Sequence, residues 1–173
     1  MKILPTGFEG LFVVEPVIYR DTRGYFLETW REGALSVPGK EIRFVQDNFS
    51  WSGRGVVRGL HYQTGVSAQA KLVMACHGEI LDVAVDLRKG SPTFGRHFSI
   101  VLESRTHRML FIPEGFAHGF SVLSEQAAVA YKCSAFYDPE LERGIRWNDP
   151  QLLIDWQIEQ PMVSEKDRLQ PLL

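Results

Sequence analysis

The sequence predicts an all-β protein that folds as one domain over residues 1–173. Short runs of aliphatic, aromatic and β-branched residues follow one another, and Gly, Pro, Asp and Ser separate them. Apolar residues hardly ever recur with the 3.6-residue period of an amphipathic helix. A chain of 173 residues is long enough to bury a core. These features are typical of a sandwich, a jelly roll or a barrel, in which closure or double-sheet packing protects strand edges.

Ten runs carry the strand pattern, and turn signals such as DTRG, HGE, KGSPTFG and PEG lie between them. The tail, with DPQLLIDW and SEKDRL, is the one region where we expect short helical pieces, near the C-terminus. The predicted strands are GLFVVEPVIY, GYFLETW, IRFVQDNFS, VVRGLHYQ, KLVMAC, EILDVAVDLR, HFSIVL, RMLFI, HGFSVL and AVAYKCSAFY.

Composition excludes several classes of function. The formal net charge of −2 carries no basic excess, so we expect no nucleic-acid partner. No apolar run approaches the ~18 residues of a membrane helix, and the N-terminus lacks a long apolar signal region. We therefore expect a cytoplasmic protein with no membrane contact. Cys76 and Cys133 lie in apolar runs without a CxxC pattern, and we predict two buried free thiols.

Strand parity predicts a cavity wall rather than a dry core at two places, because alternate residues of a strand face opposite sides. In IRFVQDNFS an apolar face, with Ile42 and Phe44, ends in the amides Gln46 and Asn48. In AVAYKCSAF the phenol of Tyr131 shares a face with apolar neighbours. A buried phenol needs a hydrogen-bond partner or a substrate.

The histidine in SGRGVVRGLHYQ follows a spacing that resembles the first motif of the cupin superfamily, whose two short motifs lie on neighbouring strands of a small jelly roll, or double-stranded β-helix. Five residues separate Gly55 from His61, as in that motif. The place of its second histidine holds Gln63, however, and the place of its glutamate, ahead of Gly78, holds Lys71. Two of the four expected metal ligands are therefore missing.

The second cupin motif matches in full as Pro113, Gly115 and His118. The resemblance thus implies a cupin-type jelly roll whose metal site is broken. An ammonium at Lys71 in place of a carboxylate disfavours a divalent cation and favours an anion. We predict a site without metal or cofactor, although a metal-dependent cupin oxygenase or isomerase remains an alternative.

The residue types of this site suit proton abstraction next to a carbonyl, which needs a base, an electrophile for the enolate and a second proton donor. That is isomerase or epimerase chemistry. For either His61 or His118 alone, a satisfied core histidine would be the preferred interpretation. Their shared placement with other polar residues favours a site instead, and these residues are Gln46, Asn48, Lys71 and Tyr131.

Arginines indicate an anionic ligand, because the planar guanidinium offers two parallel donors to phosphate oxygens. Arg23, Phe26 and Glu28 in DTRGYFLETW form one candidate group, although this stretch alone also fits a solvated hairpin turn. Arg58 is a further candidate, but it has the opposite strand parity to His61. Both reach one cavity only if the strand is irregular, and Gly59 is where we expect a bulge.

Taken together, the motifs closely resemble those of the dTDP-4-dehydrorhamnose 3,5-epimerase family, in order and over nearly the whole chain. The segments that carry the resemblance are DTRGYFLETW, VQDNFSWSGRGVVRGLHYQ, QAKLV, GEILDVAVDLRKGSPTFG, IPEGFAHGF, YKCSAFYDPELERGIRWNDP, IDW and SEKD.

The resemblance implies a homodimeric jelly roll that inverts C3 and C5 of dTDP-4-dehydro-6-deoxy-D-glucose without a cofactor, in dTDP-L-rhamnose biosynthesis. It makes His61 the proton acceptor and Tyr131 the proton donor on the opposite face, while Lys71 stabilises the enolate oxygen. The carboxylate that orients His61 is carried to Asp167 of SEKD, with Asp82 as the other candidate.

The resemblance also implies a substrate-binding set. Arg58 lies near the diphosphate, His118 lies beside the sugar, and the amides line the pocket. The nucleotide is bound partly across the dimer interface by residues of DTRGYFLETW. The implied set is Arg23, Phe26, Glu28, Gln46, Asn48, Arg58 and His118.

Two further interpretations stay open at this point. Epimerases that invert only C3 or only C5, for an antibiotic or an unusual surface sugar, keep the same histidine, lysine and tyrosine. A non-enzymatic jelly-roll module that binds a sugar is also possible, because a shared fold does not establish an activity.

Overall fold

The computed structural model of the chain describes residues 1–35 and 42–173. Within these ranges a 3-10 turn covers Gly65–Ser67 and an α-helix, α1, covers Glu165–Arg168. The strands are β1 (Lys2–Pro5), β2 (Phe12–Glu15), β3 (Ile18–Asp21), β4 (Gly24–Leu27), β5 (Gln46–Gly53), β6 (Val56–Gln63), β7 (Lys71–His77), β8 (Glu79–Asp86), β9 (His97–Glu103), β10 (Met109–Ile112), β11 (Phe116–Val122), β12 (Gln126–Cys133), β13 (Glu142–Gly144) and β14 (Met162–Val163).

Two open sheets face each other and confirm the predicted all-β jelly roll. The first sheet has the order β1-β2-β10-β7-β12-β5. The second has the order β13-β6-β11-β8-β9, and β14 adds to β6 in parallel. Strands that are neighbours in the sequence often lie in opposite sheets, as β5 and β6 do, which is how the chain winds around one core.

The main core lies between the two sheets. Buried side chains such as Val73 and Leu110 of the first sheet pack with Ile80 and Phe120 of the second. The outer face of each sheet is partly covered. Residues from the C-terminal segment, among them Trp156, pack on the second sheet. As a result β8 is buried on both faces, and seven of its eight residues are inaccessible.

Strands β3 and β4 form a hairpin of their own, with Tyr19 opposite Phe26 and Arg20 opposite Tyr25. In the described part of the chain this hairpin pairs with neither large sheet. It carries several exposed aromatic side chains, including Phe26, which is 69% exposed. The hairpin is therefore an appendage of the jelly roll rather than part of its core.

Several of the predicted strand boundaries were wrong, and each error has a cause in the nearby sequence. The run GLFVVEPVIY is two strands, because Pro16 lacks the N–H group that a ladder needs. In IRFVQDNFS the strand begins only at Gln46, and Ile42 packs beneath the outer face of the first sheet. Strands β1, β13 and β14 were not predicted, because two to four residues are too few to show a period.

The C-terminal segment contains one of the two expected helical pieces. SEKDRL holds α1, but DPQLLIDW forms turns instead of a helix. The Asp149 carboxylate accepts the backbone N–H groups of Gln151 and Leu173, each at 2.7 Å. Leu153 has a positive φ of 51°, which is outside the helical region. These contacts fix the segment as a series of turns.

The two cysteines and the helix of the chain bear on two further expectations. Cys133 is a buried free thiol as predicted, but Cys76 is exposed, because it lies on the outer face of the first sheet. The α-helix found in the described ranges has four residues, and no helix there is long and apolar enough to cross a membrane.

Candidate active site

A cavity of about 540 Å³ lies between the open ends of the two sheets, and we call it the central cavity. The second sheet contributes strands β6 and β11, the first sheet contributes β5, β7 and β12, and the α1 segment closes one side. Its polar lining includes six residues that the sequence singled out, namely Arg58, His61, Lys71, His118, Tyr131 and Asp167.

A bulge in β6 brings Arg58 and His61 to this one cavity. His118 of β11 pairs with His61, and Phe120 of β11 pairs with Arg58. The two pairs are therefore three residues apart on β6 but only two residues apart on β11. The extra residue confirms the irregularity expected at Gly59, whose φ is +126°. A Cβ atom at Gly59 would lie 2.5 Å from the Cα atom of Gly119. The bulge thus depends on two facing glycines.

His61 is paired with Asp167, not with Asp82. The distance from His61 Nε2 to Asp167 Oδ1 is 2.5 Å, and the Gly59 N–H lies 3.4 Å from the other carboxylate oxygen. Ser164 caps α1 by accepting the Asp167 N–H at 3.1 Å, which fixes the position of the carboxylate. The side chain of His61 is 29% exposed, and it faces the central cavity.

Asp167 is buried, yet its carboxyl group is held in the charged form. Burial by itself raises the pKa of Asp167, but hydrogen bonds and charge from His61, with the Gly59 and Ser164 groups, outweigh it and lower the pKa overall. A charged Asp167 accepts a hydrogen bond from Nε2–H of His61. A neutral imidazole bonded in this way keeps its lone pair on Nδ1. The pair is thus arranged as an oriented base.

His118 forms a second imidazole–carboxylate pair, with Asp82 of β8. His118 Nε2 lies 2.6 Å from Asp82 Oδ1, and both residues are buried. The other oxygen of Asp82 is buried and has no hydrogen-bond partner among the described residues. Asp82 is therefore the carboxylate of His118.

Lys71 and Tyr131 face His61 from the first sheet. The Lys71 nitrogen lies 6.0 Å from the centre of the Tyr131 ring. Burial lowers the pKa of Lys71, although Cys133, Asp82 and Glu142 oppose that effect. Among the described residues no carboxylate lies within ion-pair distance of the ammonium, which leaves it available to an oxyanion. Burial raises the pKa of Tyr131, so the phenol keeps its proton.

Gln46 and Asn48 line a side pocket of about 200 Å³ that shares His61, Lys71 and Tyr131 with the central cavity. Gln46 donates from Nε2 to Asn48 Oδ1 at 3.0 Å and accepts the Tyr137 N–H at 2.9 Å. The two amides are therefore oriented by hydrogen bonds and lie where the sequence predicts a polar wall.

Arg58 is held by Ser52, whose hydroxyl oxygen accepts from Nε at 3.1 Å and from Nη2 at 3.0 Å. No carboxylate of the described residues forms an ion pair with Arg58, and its side chain borders the central cavity. A cation placed in this way is available to a negatively charged part of a ligand.

Three polar residues at the rim of the site were missed. Lys166 donates to the Glu142 carboxylate, which also accepts the Tyr137 hydroxyl at 2.9 Å. Lys166 could have been found from its place beside Asp167 in SEKD. Tyr137 lies in the predicted run AVAYKCSAFY and has the same parity as Tyr131, although the observed strand β12 ends before it. Glu142 lies beyond that run, where no strand pattern indicates the direction of a side chain.

Arg23, Phe26 and Glu28 do not reach the central cavity within one chain. Arg23 Nη2 forms an ion pair with Asp21 Oδ2 at 2.6 Å in the hairpin turn. Glu28 lies 3.5 Å from Arg31, and Phe26 is exposed. The structure thus separates these three residues from the other predicted site residues.

Two of the four positions that correspond to cupin metal ligands hold side chains that do not suit a cation. Gln63 is buried at the side pocket, and Lys71 places an ammonium in the cavity lining that it shares with the two histidines and Tyr131. Within residues 1–35 and 42–173 no three His, Cys, Asp or Glu side chains cluster as a metal site. A metal-independent site stays a prediction.

Comparison with known proteins relates this site to one family. The family model for dTDP-4-dehydrorhamnose 3,5-epimerase matches residues 5–173. A protein of Pseudomonas aeruginosa described as a dTDP-4-dehydrorhamnose 3,5-epimerase is 50% identical over 170 residues, which cover 97% of this chain and 93% of that protein.

Two solved structures are similar over almost the whole chain. A dTDP-6-deoxy-D-glucose-3,5-epimerase from Legionella pneumophila, in complex with dTDP-4-keto-L-rhamnose, has a TM-score of 0.94 and 48% identity, covering 99% of this chain and 92% of that one. A 3'-monoepimerase from Streptomyces bikiniensis, in complex with dTDP-quinovose, has a TM-score of 0.90 and 35% identity, covering 98% and 86%. The chain belongs to the dTDP-4-dehydrorhamnose 3,5-epimerase family.

Proposed function

We propose that this protein inverts C3 and C5 of dTDP-4-dehydro-6-deoxy-D-glucose and so forms dTDP-4-dehydro-L-rhamnose for dTDP-L-rhamnose biosynthesis. Membership of the family and the likeness to a structure that contains dTDP-4-keto-L-rhamnose support this reaction. The observation that carries it is geometric. An oriented imidazole on the second sheet and a phenol on the first sheet line one cavity from opposite sides.

Inversion at a carbon next to a ketone requires that the proton leave on one face and return on the other. In the proposed first step Nδ1 of His61 removes the hydrogen of C3 or C5. The electron pair of the broken C–H bond moves to the C4 oxygen and forms an enolate, which the Lys71 ammonium stabilises. Asp167 stabilises the imidazolium that results.

In the second step the Tyr131 hydroxyl gives its proton to the opposite face of the same carbon, and the C4 ketone forms again. Tyr131 then regains a proton from solvent while His61 releases the one it took, so the protein is unchanged after each turnover. One site can serve both carbons, because they flank the same carbonyl group.

The surrounding charges fit these roles. The buried ammonium of Lys71 lies where a negative charge would develop, and a buried cation stabilises such a charge more strongly than an exposed one. The raised pKa of Tyr131 keeps the phenol protonated before it donates. We propose that Arg58 binds the diphosphate, that Gln46 and Asn48 contact the sugar and nucleotide, and that His118 borders the sugar.

The reaction can be followed carbon by carbon. The protein is incubated with the 4-keto sugar nucleotide in D2O, and NMR measures deuterium at C3 and C5. We expect label and inversion at both positions. Label at one carbon alone would make the protein a single-position epimerase like the relative from S. bikiniensis. No label at either carbon would leave a binding module and contradict the proposed function.

We also propose that the protein works as a homodimer whose hairpin completes the nucleotide site of the partner subunit. Arg23, Phe26 and Glu28 support this, because they lie apart from the cavity of their own chain. The outer face of the first sheet supports it too, since Phe49 and Trp51 are 65% and 53% exposed there. A second copy of the chain would cover such an apolar surface.

Mixed dimers test the shared site. One inactive variant carries Phe26→Ala with Arg23→Ala, and the other carries His61→Asn. If the hairpin acts on the partner, a mixed dimer has one complete site, and mixing the two variants under exchange conditions restores activity. If the mixture stays as inactive as its components while light scattering shows mixed dimers, the hairpin does not act across the interface.

We further propose that the protein acts in the cytoplasm and needs neither metal nor cofactor, because its own side chains supply base, acid and enolate stabilisation. Full activity after dialysis against EDTA, with elemental analysis of the same sample, is the expected result. Activity that disappears with the metal and returns on its addition would contradict this proposal.

A further inference from the structure

The hairpin has two faces, and each face carries a different cross-strand pair of side chains. On one face Tyr19 pairs with Phe26, with 6.4 Å between ring centres, and these side chains are 62% and 69% exposed. On the other face lies the next cross-strand pair, Arg20 and Tyr25. Both faces are solvent-exposed, since Tyr25 is 53% exposed, but Tyr25 on the second face makes an aromatic contact with the jelly roll. The second face therefore determines how the hairpin is attached.

The attachment of the second face is an aromatic contact with His107. The ring centres of Tyr25 and His107 lie 4.7 Å apart with an interplanar angle of 46°. The Arg20 guanidinium lies 5.4 Å above the centre of the Tyr25 ring, on the same face of the hairpin. Although His107 is in a surface turn, it is only 8% exposed. Tyr25 thus contacts both a cation and an imidazole.

His107 is firmly connected to the active-site sheet. It ends the turn between β9 and β10, and β10 pairs with β7, which carries Lys71. Its φ of +54° lies in the left-handed region, which is uncommon for a residue other than Gly, although Asn, Asp and His are enriched there. A histidine in such a conformation costs free energy that its side-chain contacts must offset. Within the described part of the chain, Tyr25 is the aromatic residue that the His107 ring contacts.

The charge state of His107 allows a stable contact with Tyr25. Burial lowers the pKa of His107, and the nearby Arg20 lowers it further. The imidazole is therefore neutral at neutral pH, and it does not repel the nearby Arg20 guanidinium. Neutral aromatic rings at this distance attract each other beyond the area that they bury.

We propose that His107 is a positioning residue for nucleotide binding, which acts by holding Tyr25 and so fixes the direction in which the hairpin presents Phe26. This inference rests on the proposed role of the hairpin in binding the nucleotide. A hairpin that is fixed before the ligand arrives loses less conformational entropy on binding than a free one does. The contact therefore strengthens binding without touching the ligand.

The test measures the affinity for dTDP by calorimetry, and kcat with the 4-keto sugar nucleotide at saturation. The first variant is His107→Asn, because Asn tolerates the left-handed backbone and lacks the ring. The second is Tyr25→Ala, on the exposed hairpin, where the fold of the jelly roll is not at risk. For each variant we expect Kd for dTDP to rise about threefold to tenfold, with kcat changed less than about twofold.

Three further variants make the test specific. Tyr25→Phe keeps the ring and should bind dTDP like the unchanged protein. The double variant with Tyr25→Ala and His107→Asn should bind no more weakly than Tyr25→Ala alone, because that single variant already removes the contact with His107. His97→Asn alters a half-buried histidine of β9 away from the hairpin, and it should leave Kd unchanged.

The outcomes separate this inference from the function on which it rests. Unchanged dTDP affinity in Phe26→Ala would overturn the role of the hairpin in nucleotide binding. Weaker binding in Phe26→Ala together with normal binding in His107→Asn and Tyr25→Ala would overturn the positioning role alone. Fully additive losses in the double variant would also overturn it, because they would show that the two residues act independently.

Discussion

Two imidazole–carboxylate pairs lie side by side in this protein, and they differ in how far a ligand can reach the histidine. The distances are almost equal, 2.5 Å for His61–Asp167 and 2.6 Å for His118–Asp82. The histidines themselves are cross-strand partners on β6 and β11. Pairing with a carboxylate therefore does not distinguish them.

The two pairs differ in the exposed fraction of the histidine and in the hydrogen-bond donors around the carboxylate. The His61 side chain is 29% exposed to the cavity, whereas that of His118 is 7% exposed. Asp167 comes from a capped helix and has both oxygens close to donors, but Asp82 lies within a buried strand with one oxygen unpartnered. The exposed pair can exchange protons with a ligand and solvent. The buried pair is suited to holding the wall of the cavity.

The largest expected effect is that of His61→Asn. Loss of the base should lower kcat/KM about 10⁴-fold, at the upper end for general acid–base catalysis. Deuterium exchange at C3 and C5 should disappear with it, while affinity for dTDP survives. An exchange rate within tenfold of the unchanged protein would show that another group is the base, and His118 would then be the first candidate.

Tyr131→Phe should have the next largest effect, because it removes the donor on the opposite face and leaves the base intact. We expect inversion to slow about 10²–10³-fold. His61 can still remove a proton and return deuterium to the same face. NMR in D2O should therefore show labelled substrate without inversion. Loss of label and inversion in equal proportion would mean that Tyr131 does more than donate a proton.

Asp167→Asn should lower kcat about 10²-fold, since the imidazole loses the group that orients it and stabilises its charged form. The matched variant Asp82→Asn should lower kcat far less. Steady-state rates of the two variants compare the carboxylates directly. Equal losses would remove the distinction between the two pairs.

The variant Asp167→Asn should also change how the free energy of unfolding depends on pH in acid. The pKa of Asp167 is lower in the folded protein than in the unfolded chain, so its contribution to stability is present above the ordinary carboxyl pKa of about 4. That contribution is lost as the pH falls through the folded-state pKa. Urea unfolding between about pH 5 and pH 2 should therefore show a weaker pH dependence for Asp167→Asn than for the unchanged protein.

The smallest catalytic effect is expected for His118→Asn, about tenfold or less in kcat, because the residue borders the sugar without taking its proton. Its effect on stability should be larger, because Asp82 is left buried with a poorer partner. We expect the free energy of unfolding to fall by about 1–3 kcal/mol in urea titrations. A variant as stable as the unchanged protein but without activity would place His118 in the chemistry.

The strand that carries His61 was predictable from the sequence, whereas its pairing was not. Val56–Gln63 shows alternation and flanking glycines, which are local signals, and the observed strand has those bounds. The site residues of β5, β6, β7 and β12 were found because parity within a strand and motif spacing are also local. Gly59 indicated a bulge because a glycine inside a strand is an unusual choice.

Non-local features could not be predicted in the same way. No period or spacing relates Asp167 to His61, and only the resemblance to a family suggested their contact. The partner of His118 depends on the register of β8 against β11, which is fixed by the packing of two sheets. Glu142 lies in a three-residue strand, too short for alternation to indicate where its side chain points.

The two members of the proposed catalytic pair, His61 and Asp167, are 106 residues apart in the sequence. At a synthesis rate of about 5–20 residues per second, a ribosome needs about 5 to 20 seconds to add that stretch. Most strands of both sheets are made during this interval, while His61 still lacks its carboxylate. A nascent chain is therefore a poor catalyst toward nucleotide sugars until the segment that carries Asp167 has been added and has docked.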